Sequence, residues 1–459
     1  MVNDRFLRVQ WTCFGAILAL FSCAAHAQSA TAAPLTAASA LPPAAPSLPG
    51  MVAASSINGA DTAWLLVSTA LVLLMTLPGI ALFYGGMVRK KNVINTMACI
   101  VAITAVVSLL WFALGYSLAF TPGSPWIGGL SRAWFEGFDV TKAKQMVAVS
   151  HIAPNVPESV YAMFQLTFAI ITAALIVGAL VERVRFAGLL VFISLWTILV
   201  YAPIAHWVWE PGGWLAQMGV LDFAGGAVVH INAGTAALIA AYSVGYRQGY
   251  GREPLMPFNL GLTMAGAGLL WVGWFGFNAG SAVASDGRAG LAMLVTHIAA
   301  AAGVVGWVCA EWLVRGKPTL LGMCSGIVAG LVAITPASGF VGPKAALVIG
   351  LVAGVCCYWG ATGLKRLLRV DDSLDVFGVH AVGGIVGALL TGVFNDPAIS
   401  GSTASLQTQA IGVLVVLAYS AVGTFLVVLL TNLLVGLRVH ERVESDGLDI
   451  DQHGERIGT

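Results

Sequence analysis

Eleven apolar runs, each about as long as a bilayer is thick and separated by polar links, constrain this chain more than any other feature. They lie at roughly 63–88, 93–120, 158–181, 186–208, 222–244, 257–280, 291–314, 319–336, 343–363, 374–394 and 406–437. A hydrocarbon core of about 30 Å takes about 20 residues of helix to cross. Lipid offers no partners to backbone N–H and C=O groups, so a lipid-facing run must be helical. The expected fold is an all-α polytopic membrane protein with eleven transmembrane helices. Hydrophobic residues make up 58% of the chain and charged residues 9%, where soluble domains carry roughly a quarter charged. A formal net charge of +1 argues against nucleic acid as a partner. The 54 glycines are read as close-packing positions between helices.

The ends read differently. Arg5 and Arg8 precede an apolar stretch from Val9 to Phe21, and Ala25-His26-Ala27 supplies an A-x-A cleavage site, so residues 1–27 read as a signal peptide. Lipidation at Cys23 is an alternative that the bulky Phe21 disfavours. Residues 28–60, rich in Ala, Ser and Pro, read as a disordered extracytoplasmic lead. The transmembrane domain is expected over 61–437 and a cytoplasmic tail over 438–459. Basic residues test this arrangement. With the mature N-terminus outside, the inner links and tail receive Arg89, Lys90, Lys91, Arg183, Arg185, Arg247, Arg252, Arg315, Lys317, Lys365, Arg366, Arg369, Arg438, Arg442 and Arg456. The outer side keeps only Arg132, Lys142, Lys144, Arg288 and Lys344. That bias predicts the mature N-terminus outside and the C-terminus in the cytoplasm. Cys99, Cys309, Cys324, Cys356 and Cys357 show no metal-type spacing and read as small core residues.

The chain echoes itself. "GGAVVHINAGTAAL" around His230 resembles "VFGVHAVGGIVGAL" around His380: each histidine follows Val, precedes Gly by four residues and trails an aspartate by eight (Asp222, Asp372). "LFYGG" in run 1 and "GFNAG" in run 6 form a second echo. Runs 1–5 and 6–10 therefore read as an inverted repeat, with run 11 added, because an odd number of crossings turns the second copy upside down. Such repeats place a transporter's site where the halves meet. A buried histidine satisfied by a carbonyl is the plain reading of either one alone; symmetric placement of two ionisable groups in the membrane favours function. His297, without an echo, keeps the plain reading.

Several long segments resemble the ammonium transporters, the bacterial members above the Rh-type ones: "PGIALFYGGMVRKKN" (78–92), "VGALVERVRF" (177–186), "PIAHWVW" (203–209), "LDFAGGAVVHIN" (221–232), "GWFGFNAGS" (273–281), "RGKPTLLG" (315–322) and "KRLLRVDDSLDVFGVHAVGGI" (365–385). The resemblance implies a homotrimer with one pore per subunit. It implies pore histidines His230 and His380, and an outer gate of two stacked phenylalanines, one of them Phe277. "AMFQLTF" offers Phe164 and Phe168 for the other, and family spacing assigns Phe168. It implies ammonium recruitment at Phe164, Trp209 and Ser281, with Asp222 supporting the backbone nearby and Trp274 lining the pore. "EPGGWLAQMG" carries one residue more than the commonest bacterial pattern. The tail's "GLR…E…GLD…HGE" implies packing beneath the trimer and docking of a trimeric PII-type signal protein at the cytoplasmic face. No cofactor or metal is implied.

The chemistry suits the substrate. Aromatic faces and a hydroxyl can hold a partly dehydrated small cation, each cation–π contact contributing about 0.5–2 kcal/mol. Potassium would be held similarly, but only ammonium can give up a proton. An apolar pore excludes bare ions and admits neutral ammonia, so the expected path is recruitment, deprotonation and passage of ammonia beside two neutral imidazoles. The proton's route is open; an electrogenic relay through the histidines is preferred. Rival readings are a haem protein using His230 and His380 as axial ligands, an ammonium sensor acting through a PII-type partner, and a Rh-like neutral gas channel.

Overall fold

A computed structural model describes residues 49–458; the expected signal peptide and most of the lead lie outside the described residues. Among these, ten helices are long and apolar enough to cross a membrane. They are α1 (Gly59–Met87), α2 (Lys90–Phe120), α3 (Glu158–Leu180), α4 (Phe186–Gln217), α5 (Gly226–Val244), α6 (Leu260–Gly280) and α7 (Gly287–Arg315), then α9 (Pro343–Leu367), α10 (Phe377–Phe394) and α11 (Leu406–Leu434). Between α7 and α9 lies a shorter apolar helix, α8 (Leu320–Ile334). The run at 319–336 thus yields about 22 Å of helix at 1.5 Å per residue, shorter than its neighbours. Pro336, which has no N–H to continue the ladder, follows its C-cap Thr335. The segment that follows stays buried and holds Phe223 N–H on the Pro336 carbonyl at 3.1 Å.

Six of these helices contain a π-helical turn. In α1 it spans Met75–Ile80 and surrounds Pro78, whose ring removes one donor from the ladder. The others are Trp111–Gly115, Thr197–Tyr201, Gly226–Ile231, Gly360–Leu364 and Phe377–Ala381. Widened turns of this kind cluster at functional sites, and two of the six carry His230 and His380.

Of the lead expected to be disordered over 28–60, the described residues from 49 onward are structured. Gly50–Ala53 forms strand β1, which pairs antiparallel with β3 (Met146–Val149); β2 (Val140–Thr141) pairs with the other edge of β3. The partner strand lies some ninety residues further on, so no local pattern in the lead announces it. Asn58 then caps α1 by accepting from the backbone of Ala60 and Asp61.

At the opposite end the tail is ordered. Helices α12 (Glu441–Asp446) and α13 (Leu448–His453) lie against the starts of α2 and α4. Lys91 donates to the carbonyls of Glu444 and Ser445, Asn92 accepts from Leu448 N–H, and Asp449 accepts from Asn95 N–H. Beneath the bundle Arg247 makes a bidentate pair with Asp371 and reaches Glu182 at 3.2 Å, while Arg89 holds Glu182 at 2.8 Å. Fully buried Arg183 donates to Ser373 and to the Asp371 carbonyl. Burial alone would raise the Asp371 and Glu182 carboxyls, but the guanidinium of Arg247, joined at Glu182 by Arg89, outweighs it. Both are held below the ordinary carboxylate range.

Candidate functional site

The site is built where α5 and α10 meet, and the two helices begin alike. Asp222 accepts four backbone N–H bonds, from Gly225 and Gly226 on one oxygen and Ala227 and Val228 on the other. These are the orphan donors of a helix start. Asp372 takes the same place on α10, accepting from Phe377 N–H at 2.7 Å. The echoed aspartates therefore both fix the turn that carries a histidine. Burial pushes the Asp372 carboxyl up to about 6, with Lys365 opposing the shift.

Two glycines then allow the helices to touch at matching points. A Cβ on Gly234 would lie 2.5 Å from Ala381 N, and one on Gly384 would lie 2.7 Å from the Gly226 carbonyl. Each glycine is four residues after one histidine and packs against the turn bearing the other. His230 and His380 are drawn together, Nδ1 to Nδ1 at 3.3 Å, with ring centroids 5.4 Å apart. Both are buried. One Nδ1 must donate and the other accept, so the two rings are opposite tautomers. The Nε2 of one ring is then bare and that of the other carries hydrogen; His230 Nε2 is buried without a hydrogen-bond partner. Two axial haem ligands stand on opposite sides of the iron with their nitrogens roughly 4 Å apart; the Nδ1–Nδ1 separation of 3.3 Å is that of a direct hydrogen bond, which counts against the haem reading.

Aromatic rings continue the line. Trp274 stacks on His230 with centroids 5.3 Å apart, its indole N–H held by Thr335 Oγ1 at 2.9 Å. Phe277, one helical turn along α6, lies 6.1 Å from His230 and stacks on Phe168 of α3 at 4.2 Å and 16°. Phe164, on the preceding turn of α3, meets Phe168 edge-on at 4.9 Å, and Trp209 meets it edge-on at 5.7 Å. Of the two candidate phenylalanines, Phe168 is thus the one stacked on Phe277. Trp209 is fixed by its indole N–H on the Asp222 carbonyl at 2.9 Å. Asp222 therefore orients both the histidine turn and this tryptophan. Ser281 sits just past the end of α6, its hydroxyl on the Phe277 carbonyl at 2.8 Å. His297 lies elsewhere, exposed on α7 against Trp271 and Phe275.

Two supports were not anticipated from sequence. His151 Nε2 and Glu210 Oε1 pair at 2.9 Å, and Glu210 directly follows Trp209. His206, one turn before Trp209 and fully buried, places its ring nitrogens 3.1 and 2.9 Å from the carbonyls of Ala119 and Ser124. Only their ionisable character near a helix end could have drawn attention to them. At the tail-side ends of α7 and α9 a cavity of about 350 Å³ is lined by Glu311, Arg315, Lys365 and Asp375 among others.

A bundle of apolar helices enclosing a buried histidine pair behind stacked aromatic rings defines a polytopic membrane protein of the transport class. The chain belongs to the Ammonium Transporter Family, whose match spans residues 63–457. It is 44% identical to an ammonium transporter of Bacillus subtilis over 86% of this chain and 98% of that protein. It is 45% identical to an ammonium transporter of Aquifex aeolicus over 88% and 94%. Among solved structures it is similar to Saccharomyces cerevisiae Mep2, at 35% identity with a TM-score of 0.77, covering 84% of this chain and 88% of that one. A structure described as a sensor Amt protein aligns at 28% identity with a TM-score of 0.78, over 86% and 98%.

Proposed function

We propose that this chain takes up ammonium across a bacterial inner membrane, as a transporter and not an enzyme, by passing ammonia along an apolar conduit beside paired histidines. The observation that carries the reading is the Nδ1–Nδ1 contact of His230 and His380 behind the Phe168–Phe277 stack. Ammonium is recruited against Phe164, Trp209 and Ser281, where π faces and a hydroxyl oxygen replace part of its hydration. Phe168 and Phe277 form a gate that the hydrated ion does not pass. Beyond it, apolar surroundings penalise any ion far more than the neutral gas, so the proton is given up before ammonia moves on past Trp274.

Opposite tautomers give the pair a relay. A proton arriving at the bare Nε2 of one ring leaves through the Nε2–H of the other, with the shared Nδ1 proton shifting between them. Transport is then electrogenic, the charge crossing as the relayed proton and not as ammonium. The remaining architecture follows the same reading: eleven crossings counting α8, an inverted repeat of α1–α5 and α6–α10, the N-terminus outside and the tail inside. The chain assembles as a homotrimer in membrane lipid, and a PII-type signal protein docks at the tail side.

The test is solid-supported-membrane electrophysiology on reconstituted protein. Ammonium evokes a transient current and equimolar potassium does not. Ammonia flux without charge movement would instead identify a Rh-like gas channel. Binding without flux would favour a sensor acting through a partner, the second reading that the likeness to a sensor Amt structure raises.

A further inference from the structure

The loop after α2 does not simply leave the membrane. Gly128 N–H donates to the Leu118 carbonyl, Ser117 Oγ donates to the Gly129 carbonyl, and Arg132 N–H donates to Ser117 Oγ. The chain therefore runs back along the last turns of the helix it has just left. It reaches Phe112, whose ring meets Trp134 edge-on at 5.5 Å and Phe135 at 5.4 Å. Phe112 lies eight residues before Phe120, about 12 Å down the helix axis.

The turn at the bottom is held in a costly shape. Trp134 (φ 58°) and Phe135 (φ 53°) are consecutive left-handed residues, a conformation bulky side chains avoid and that persists only where surroundings over-determine it. Those surroundings are visible. Arg132 Nε sits 3.1 Å from both oxygens of buried Glu158, which also accepts from Tyr116. Phe135 stacks on Phe138 at 4.5 Å and 2°. The result turns Phe135 inward and Trp134 outward. Trp134 is 66% exposed and Leu130 64%, beside Leu109 at 68% on the outward face of α2. Large apolar side chains held out there, next to the outward face of α2, a strongly apolar span that is mostly unburied, match the chemistry of the bilayer interface. Tryptophan is favoured there because its body is apolar and its N–H is polar.

We propose that residues 128–136 form a re-entrant anchor that seats Leu130 and Trp134 in the bilayer leaflet on the side opposite the tail. The occupant of this surface is lipid, not water and not a second copy of the chain. Its purpose is to pin α2 and the Arg132–Glu158 contact at a fixed depth beside the start of α3.

The test uses full-length protein in liposomes, carrying a nitroxide on Trp134→Cys in a cysteine-free background, with Lys144→Cys at the exposed tip of the β2–β3 hairpin as reference. The expected result is an oxygen-to-nickel-chelate accessibility ratio several-fold higher at position 134 than at 144. Equal ratios at the two positions would overturn the proposal, as would a label at 134 shielded from both agents. Should the cysteine-free chain fail to fold, benzoylphenylalanine replaces Trp134 with the native cysteines kept. Photo-adducts on phospholipid acyl chains support the anchor, whereas crosslinks to another copy, or no lipid adduct, refute it.

Discussion

At the scale of single residues, the proposed relay rests on the contact between His230 and His380. Replacing His230 and His380 together with alanine should reduce ammonium-evoked current to that of protein-free membranes while the fold persists, since a widened apolar lumen offers no relay. Undiminished ammonium currents in that variant would rule the relay out. Asp222 answers a different question. Its carboxylate satisfies four backbone donors at once and its carbonyl holds Trp209. Leaving those buried N–H groups without partners costs about 1–3 kcal/mol each when no water replaces them. Asp222→Ala should therefore lower the thermal midpoint of the purified protein markedly and misplace the tryptophan, whereas Asp222→Asn, retaining one oxygen, should fall between the two. A melt of Asp222→Ala indistinguishable from the parent would show that the cap is dispensable.

Among elements, the decisive contact is between the starts of α5 and α10. Gly234 and Gly384 have no room for a side chain, so Gly384→Val must push the helices apart. Overpacking of this sort costs about 1–3 kcal/mol, too little to unfold a bundle of this size. The expected outcome is a folded protein without transport, checked by comparing its melt with its currents; normal currents would mean that the rings need not touch. Much of this junction was legible in sequence. The glycine four residues on makes the close approach between the helices, and the aspartate eight residues back fixes each histidine-bearing turn. The strand at Gly50–Ala53 was not legible, because its partner β3 is remote and four residues carry no period. Nor was the end of α8 at Ile334: the apolar run extends to Pro336, and its hydropathy does not register where the helix stops.

For the whole molecule, the ion pairs beneath the bundle tie together the ends of α1, α3 and α5 and the link before α10. Removing Arg247 would leave Asp371 with only Arg183 nearby and Glu182 with only Arg89. Breaking a buried pair in this way costs about 3–5 kcal/mol. The depressed carboxyls also predict a pH dependence. Groups whose folded values lie below the ordinary 3.8 and 4.5 add stability that is complete above those values. That stability is lost as pH falls through the lower, folded ones. Asp371 and Glu182 should therefore leave the thermal midpoint unchanged from neutrality to about pH 5 and lower it steeply below about pH 4, while the raised Asp372 carboxyl adds stability as pH falls through about 6. Asp371→Asn should flatten that drop; an unchanged acid limb would assign the effect to other carboxylates.

By itself, the sequence determined the apolar helices, the pairing of two histidine-bearing segments and the aspartates that precede them. These depend on local hydropathy and short-range spacing, which a chain carries wherever it folds. Tertiary structure decided the rest: which phenylalanine stacks on Phe277, that the histidines meet through Nδ1, and how four basic and acidic links join beneath the bundle. Those outcomes depend on distances between residues remote in the chain, and such distances are set only when whole helices find their packed positions.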